Sequence, residues 1–61
     1  MCLGKLFDET EKILLMENVT SFTKENGRII FTSIFGEQQY IVGEIKQVDF
    51  SNSKIIIKQA N

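Results

Sequence analysis

The 61-residue chain has no histidine, no proline, no tryptophan and a single cysteine. Each absence closes a class of chemistry. Without histidine there is no Ser-His-Asp triad, no Cys-His pair and no histidine-ligated zinc. With one cysteine there is no intramolecular disulfide, no CxxC redox pair and no cysteine-cluster zinc site. Neither sign of charge is in excess. Seven basic residues stand against eight acidic ones, for a formal net charge of -1, whereas nucleic-acid-binding domains usually carry a basic face or stripe. Long apolar runs are also missing. The longest is Ile13 to Met16, far short of the roughly 20 residues of a membrane-spanning helix. The start of the chain lacks the charged and apolar regions of a secretory signal. Gly4 is not at position 2, so the myristoylation pattern fails. Together with the lone thiol, these features predict a cytoplasmic protein without membrane attachment.

What remains is a chain too apolar for disorder, at 43% hydrophobic residues, and short enough to be one domain spanning residues 1–61. A domain of this length buries only about 60% of the surface its unfolded chain exposes. Small scaffolds commonly add disulfides, a structural metal or a second subunit. The first is excluded, and a closed metal site within one chain is short of ligands. A homodimer is therefore expected.

Turn signals recur along the chain: Asp8-Glu9, Glu17-Asn18, Asn26-Gly27, Gly36-Glu37 and Ser51-Asn52-Ser53. The segments between them are β-branched and aromatic, notably Arg28 to Phe35, Gln39 to Val42 and Lys54 to Lys58. Asn26-Gly27 suits a type I′ turn, which joins Val19 to Glu25 with Arg28 to Phe35 as a hairpin. Ser51-Asn52-Ser53 closes a second hairpin between Lys46 to Phe50 and Lys54 to Lys58. In the first of these, Val48 and Phe50 alternate with polar neighbours as in a half-buried strand. The helix formers of Glu9 to Asn18 carry their apolar residues as a block and not as a stripe. They read as a strand over Glu11 to Leu15, followed by a tight turn over Met16 to Val19. The expectation is an all-β fold of six to seven short antiparallel strands curled into a small barrel, which hides its edges.

Strand parity separates Ile55 and Ile57 from Ile56, and Ile29, Phe31 and Phe35 from Ile30 and Ile34. If the first sets fill the interior, Ile30, Ile34 and Ile56 lie outside. There they form a dimer surface, stand as scattered exposed residues, or are covered by a loop.

Three groups of residues could carry chemistry. Cys2 is the first. A free cysteine often packs as a small hydrophobe. Next to the chain start, however, its thiolate lies beside the α-amine, which deprotonates near neutrality. Nitrogen and sulfur donors suit Ni(II) or Cu(II) better than Mg or Ca. One chain offers few such donors, and two chains meeting at their N-termini double them. The carboxylates come second. Asp8, Glu9, Glu11, Glu37 and Glu44 show no spacing diagnostic of acid–base catalysis and read as solvated turns. With no phosphate loop, nucleotide fingerprint or GxSxG, the chain is not expected to be an enzyme. The aromatics Phe7, Phe22, Phe31, Phe35, Tyr40 and Phe50 come third. They fit core packing better than a base-stacking platform, since the basic residues are dispersed. Tyr40 is the ring expected to be exposed, and a small RNA-binding module is the alternative reading.

The order of landmarks is informative as a whole. The chain starts Met1-Cys2, continues through Glu17-Asn18-Val19, Asn26-Gly27 and Ile34-Phe35-Gly36-Glu37, and closes with Gly43-Glu44-Ile45-Lys46-Gln47-Val48-Asp49-Phe50 and Lys54-Ile55-Ile56-Ile57. This set resembles the CooT family over nearly the whole chain. Its specificity lies in the Met-Cys start taken with the ordered set, because each later motif is common. The resemblance implies a small SH3-like barrel and a homodimer. It further implies Ni(II) binding through the cysteine that matches Cys2, and a role in delivering nickel to an enzyme such as carbon monoxide dehydrogenase. Some relatives carry an RNA-binding label, which fits poorly with the acidic isoelectric point near 5.2.

Overall fold

A computed structural model describes residues 3–60. Five strands form: β1 (Gly4–Phe7), β2 (Leu14–Glu25), β3 (Arg28–Ser33), β4 (Gln38–Asp49) and β5 (Lys54–Gln59). They are hydrogen-bonded in chain order, and β5 returns to β1, so the sheet closes into a ring. The four sequential pairs are antiparallel. The closing pair is parallel, with Lys5 opposite Lys54, Leu6 opposite Ile55 and Phe7 opposite Ile56.

The interior holds Leu6, Met16, Val19, Ile29, Phe31, Ile41, Ile55 and Ile57, with Leu15, Ile45 and Val48 packed partly against them. Simple alternation would send Met16 and Val19 to opposite faces. Both point inward because the β1–β2 register slips between them, and Asn18 takes a left-handed φ of 59° there. Such a bulge adds one residue to one strand and resets its parity. The same three-residue step recurs from Val19 to Phe22, across a second register slip, and from Ile45 to Val48, across a third. Phe22 thereby faces Phe31, with ring centroids 5.8 Å apart.

The turns follow their chemistry. Asn26 and Gly27 have φ of 50° and 78°, as a type I′ turn requires. The β3–β4 turn is built on Ser33, the buried polar residue of the core. Its hydroxyl accepts hydrogen bonds from the backbone N–H groups of Phe35 (3.1 Å) and Glu37 (3.2 Å). In the β4–β5 turn the Asp49 carboxylate accepts from the Asn52 backbone N–H (3.2 Å) and side-chain amide (2.8 Å). These donors, the side-chain amide foremost, hold the Asp49 carboxyl below the usual aspartate range.

The six-to-seven-strand, wholly antiparallel SH3-like barrel expected from the sequence does not form. Two expected breaks are absent, and one junction is parallel. Gly43 does not end a strand. It continues β4, with its Cα so close to β5 that a Cβ would sit 2.2 Å from the Lys58 carbonyl oxygen. Met16 to Val19 is not a tight turn either, because the positive φ of Asn18 is absorbed as a bulge inside β2. Glu11, expected to open a strand, lies in the loop before β2 with a φ of 64°.

The parity of β5 holds, but its consequence differs from expectation. Ile56 points away from Ile55 and Ile57, yet it is only 2% exposed. Lys54 shares its side of the strand and reaches both the Phe7 ring (5.7 Å) and Glu11 (2.9 Å). Ile56 is thus buried within the chain on the side of β5 where Lys54 meets Phe7 and Glu11.

Gly43→Ala is expected to cost about 1–3 kcal/mol through overpacking against backbone that cannot yield. Gly4→Ala, whose Cβ would make an ordinary 3.5 Å contact with Ile55, should cost much less. Urea unfolding midpoints check this, and equal losses would contradict the close approach. Asp49 has a lowered folded-state pKa, so its contacts stabilise the fold above the ordinary aspartate range and are lost as the pH falls through the folded midpoint. In an NMR titration the Asp49 midpoint should lie below the usual range and rise in Asn52→Ala. An unmoved midpoint would show that Asn52 is not the cause.

Candidate functional site

Cys2, the thiol singled out by the sequence, lies outside the described residues. Gly4, two positions on, is the first residue of β1. It sits opposite Val19 in β2, and the Lys5 N–H donates to the Ser53 carbonyl (2.9 Å) in the β4–β5 turn. The start of β1 is thus held between the bulged part of β2 and the turn that precedes β5.

A cleft of about 310 Å³ opens at this junction. That is the small end of the range typical of ligand pockets, about 300–1,000 Å³. Val19, Phe22, Val48 and Ile55 supply its apolar lining, and Phe50 joins them from the turn. Phe50 is 88% exposed, an unusual position for a large aromatic. Asp49 and Lys54 contribute one charge of each sign. A second recess, between Leu14–Asn18 and Glu37–Gln39, is wider and more polar. There the Gln39 side-chain amide donates to the Leu15 carbonyl (3.2 Å).

Of the residues expected at a dimer surface, Ile56 is buried. Ile34 is exposed in the β3–β4 turn, where its N–H donates to the Asn18 carbonyl (2.9 Å). Ile30 is half-buried on β3. Its cross-strand partner is Tyr40, and the neighbouring pair is Arg28 with Val42. Tyr40 and Val42 are exposed, and Arg28 lies 5.7 Å from the Tyr40 ring centre. This face belongs to strands that do not touch β1, because β1 packs only on β2 and β5.

The carboxylates behave as turn residues. Asp8 accepts from the Thr10 hydroxyl (2.7 Å), which lowers its pKa, and from the Ile13 N–H (3.4 Å). Glu11 pairs with Lys54. Among the described residues no group of three or more His, Cys, Asp or Glu side chains is placed to hold a metal ion. No helix among them is long and apolar enough to cross a membrane.

Sequence reasoning missed the cleft. Alternation put Phe50 on the same face as Val48, in one strand. In the structure β4 ends at Asp49, and Phe50 swings out into the turn. The signal was present in Asp49 and Asn52, because an aspartate that accepts hydrogen bonds from residues just ahead starts a turn at its own position.

Three comparisons bear on identity. The family model described as "CO dehydrogenase accessory protein CooT" matches residues 1–58. An uncharacterized protein of Methanocaldococcus jannaschii is 36% identical over 58 residues, covering 95% of this chain and 98% of its own. A crystal structure assigned to CooT of Carboxydothermus hydrogenoformans superposes with a TM-score of 0.86 at 19% identity, covering 98% of this chain and 100% of that one. The last shows a shared fold, and the first two show kinship. The chain belongs to the CooT family of CO dehydrogenase accessory proteins, which are not enzymes.

Proposed function

We propose that this protein handles nickel in the cytoplasm as a homodimer that binds Ni(II) through Cys2 of both chains. Its role is to support maturation of a nickel enzyme such as carbon monoxide dehydrogenase. The observation that carries the reading is the family match over residues 1–58, which includes the sole cysteine. The donor chemistry supports it. A thiolate is a soft ligand that favours nickel over hard cations. The described residues offer no cluster that would hold an ion by themselves, so a ligand set built around Cys2 is completed most simply by a second chain. Nickel is then cargo, and the protein's task is to hold it and give it up.

The alternative, a small RNA-binding module, draws on the exposed Tyr40 with Arg28 beside it. It is weaker because Arg28 lies 3.9 Å from Glu25, which offsets the local positive charge.

Nickel titration followed by ultraviolet-visible absorption should reveal thiolate-to-metal charge-transfer bands that saturate at one nickel per two chains. Cys2→Ser should abolish them. Retention of the same stoichiometry and affinity in that variant would refute the ligand assignment. Oligonucleotide affinity that falls with salt and survives the substitution would instead favour the RNA reading.

A further inference from the structure

β2 and β4 are longer than their neighbours, so parts of each are paired on one side only. On β2, residues 14–18 pair with β1 alone and residues 21–25 with β3 alone. On β4, residues 38–41 pair with β3 alone and residues 43–49 with β5 alone. Folded proteins commonly blunt such edges with charges or bulges, because unpaired backbone groups are a template for another strand. Residues 14–18 hold Glu17 and a register slip, residues 21–25 hold Lys24 and Glu25, and residues 43–49 hold Glu44, Lys46, Asp49 and another slip. Residues 38–41 differ. They have no charge, no proline and an unbroken register with β3.

The backbone groups left open there can be named. The Ala60 N–H donates to the Val42 carbonyl (2.9 Å), so Val42 turns its backbone groups away from β3. Alternation turns those of Tyr40 and Gln38 the same way and gives Gln39 and Ile41 to β3. Among the described residues, no strand lies beside Gln38 and Tyr40 on that side. On the outer face Tyr40 and Val42 are exposed next to half-buried Ile30. Where the edge begins, Gln38 and Gln39 form one wall of the polar recess of about 610 Å³ against β2. Glu17 and Glu37 lie in that recess with no basic residue in its lining.

We propose that residues 38–41 and this recess bind an extended segment of another polypeptide, which pairs antiparallel with β4 and sets a lysine or arginine against Glu17 and Glu37. Main-chain hydrogen bonds to Gln38 and Tyr40 supply the affinity, as in other cases of strand addition, and alternate side chains supply the selectivity. Those on the outer face lie beside Tyr40 and Val42, where β-branched or aromatic residues pair best. The uncompensated carboxylates fix the direction. A strand antiparallel to β4 reaches Glu37 at its C-terminal end, so the basic residue belongs there. Neither the edge nor the recess contains Cys2, so this site goes beyond the nickel reading and is tested apart from it.

The probe is a synthetic peptide of alternating threonine and valine ending in an arginine pair, titrated into the isotope-labelled full chain and followed by amide NMR. In the free chain, hydrogen exchange should be fast at the Gln38 and Tyr40 amides and slow at those of Gln39 and Ile41. The peptide should shift the first two and slow their exchange by about tenfold or more. Glu37→Lys should weaken binding by roughly fivefold. Tyr40→Pro removes an N–H that β3 does not use, so it should abolish binding and keep the β3–β4 ladder. A peptide N-methylated on its pairing side tests the same bonds with the protein unaltered, and it should not bind. Cys2→Ser should bind the probe as the wild type does. Equal binding by the N-methylated peptide or by one ending in glutamates, shifts confined to other residues, or no binding at all would overturn the proposal. So would slow exchange at Gln38 and Tyr40 in the free chain, which would show the edge already covered. An oligouridine that shifts Tyr40 where the peptide does not would give this face to RNA instead.

Discussion

The fold depends on the parallel pairing of β1 with β5. β1 is only four residues long, yet it joins the two ends of the chain and turns a meander into a ring. Its central residue, Leu6, is fully buried opposite Ile55. The three hairpins between β2 and β5 can form from neighbouring residues. Closure instead joins residues nearly fifty positions apart and bears the larger loop entropy. The burial of Leu6 against Ile55 and Ile57 offsets that cost. Closure also determines where function can sit, because it fixes Gly4 against Val19 on one side and the β4–β5 turn on the other.

The second constraint is the set of bulges. A ring this small has room for few side chains, and two of its strands are twelve residues long. Strict alternation along them would point half their residues inward and overfill the interior. Three-residue steps at Met16–Val19, Val19–Phe22 and Ile45–Val48 thin the inward set. They also increase the local twist that a closed sheet needs. The last of the inward residues on β2, Phe22, reaches the end of the ring and is left 38% exposed there. The cleft is a product of the same geometry: it opens where the bulged β2 diverges from the turn before β5.

Much of this was legible in the sequence. The Asn26-Gly27 hairpin and the all-β character follow from turn chemistry and β-branched content, and the inward set Ile29, Phe31, Ile55 and Ile57 follows from parity. What was not legible depended on contacts distant in sequence. Gly43 reads as a break, and only the backbone of Lys58 behind it shows why a glycine continues the strand. Asn18 reads as a turn residue, and its positive φ is indeed used, but inside a strand. Ile56 reads as exposed because parity sets it opposite Ile55 and Ile57, yet the fold buries it as well. Of the candidate site, the sequence offered Cys2 through its place beside the chain start and through the family resemblance. It concealed the cleft, because alternation assigns Phe50 to the core face, which Phe50 leaves when Asp49 starts the turn.

The absences in the composition and the geometry of the ring lead to the same place. One thiol, no imidazole and, among the described residues, no cluster of ligating side chains support the proposal that a metal would be held between two chains. An apolar cleft with a solvent-facing phenylalanine lies beside the strand that Cys2 precedes. On the proposed reading, Cys2 of two chains shares one nickel ion. X-ray absorption at the nickel edge of the loaded protein tests this most directly. A first shell containing sulfur from two equivalent thiolates, with one nickel per two chains, is the predicted result. A shell of oxygen and nitrogen alone, or one nickel per chain with a single sulfur, would contradict it.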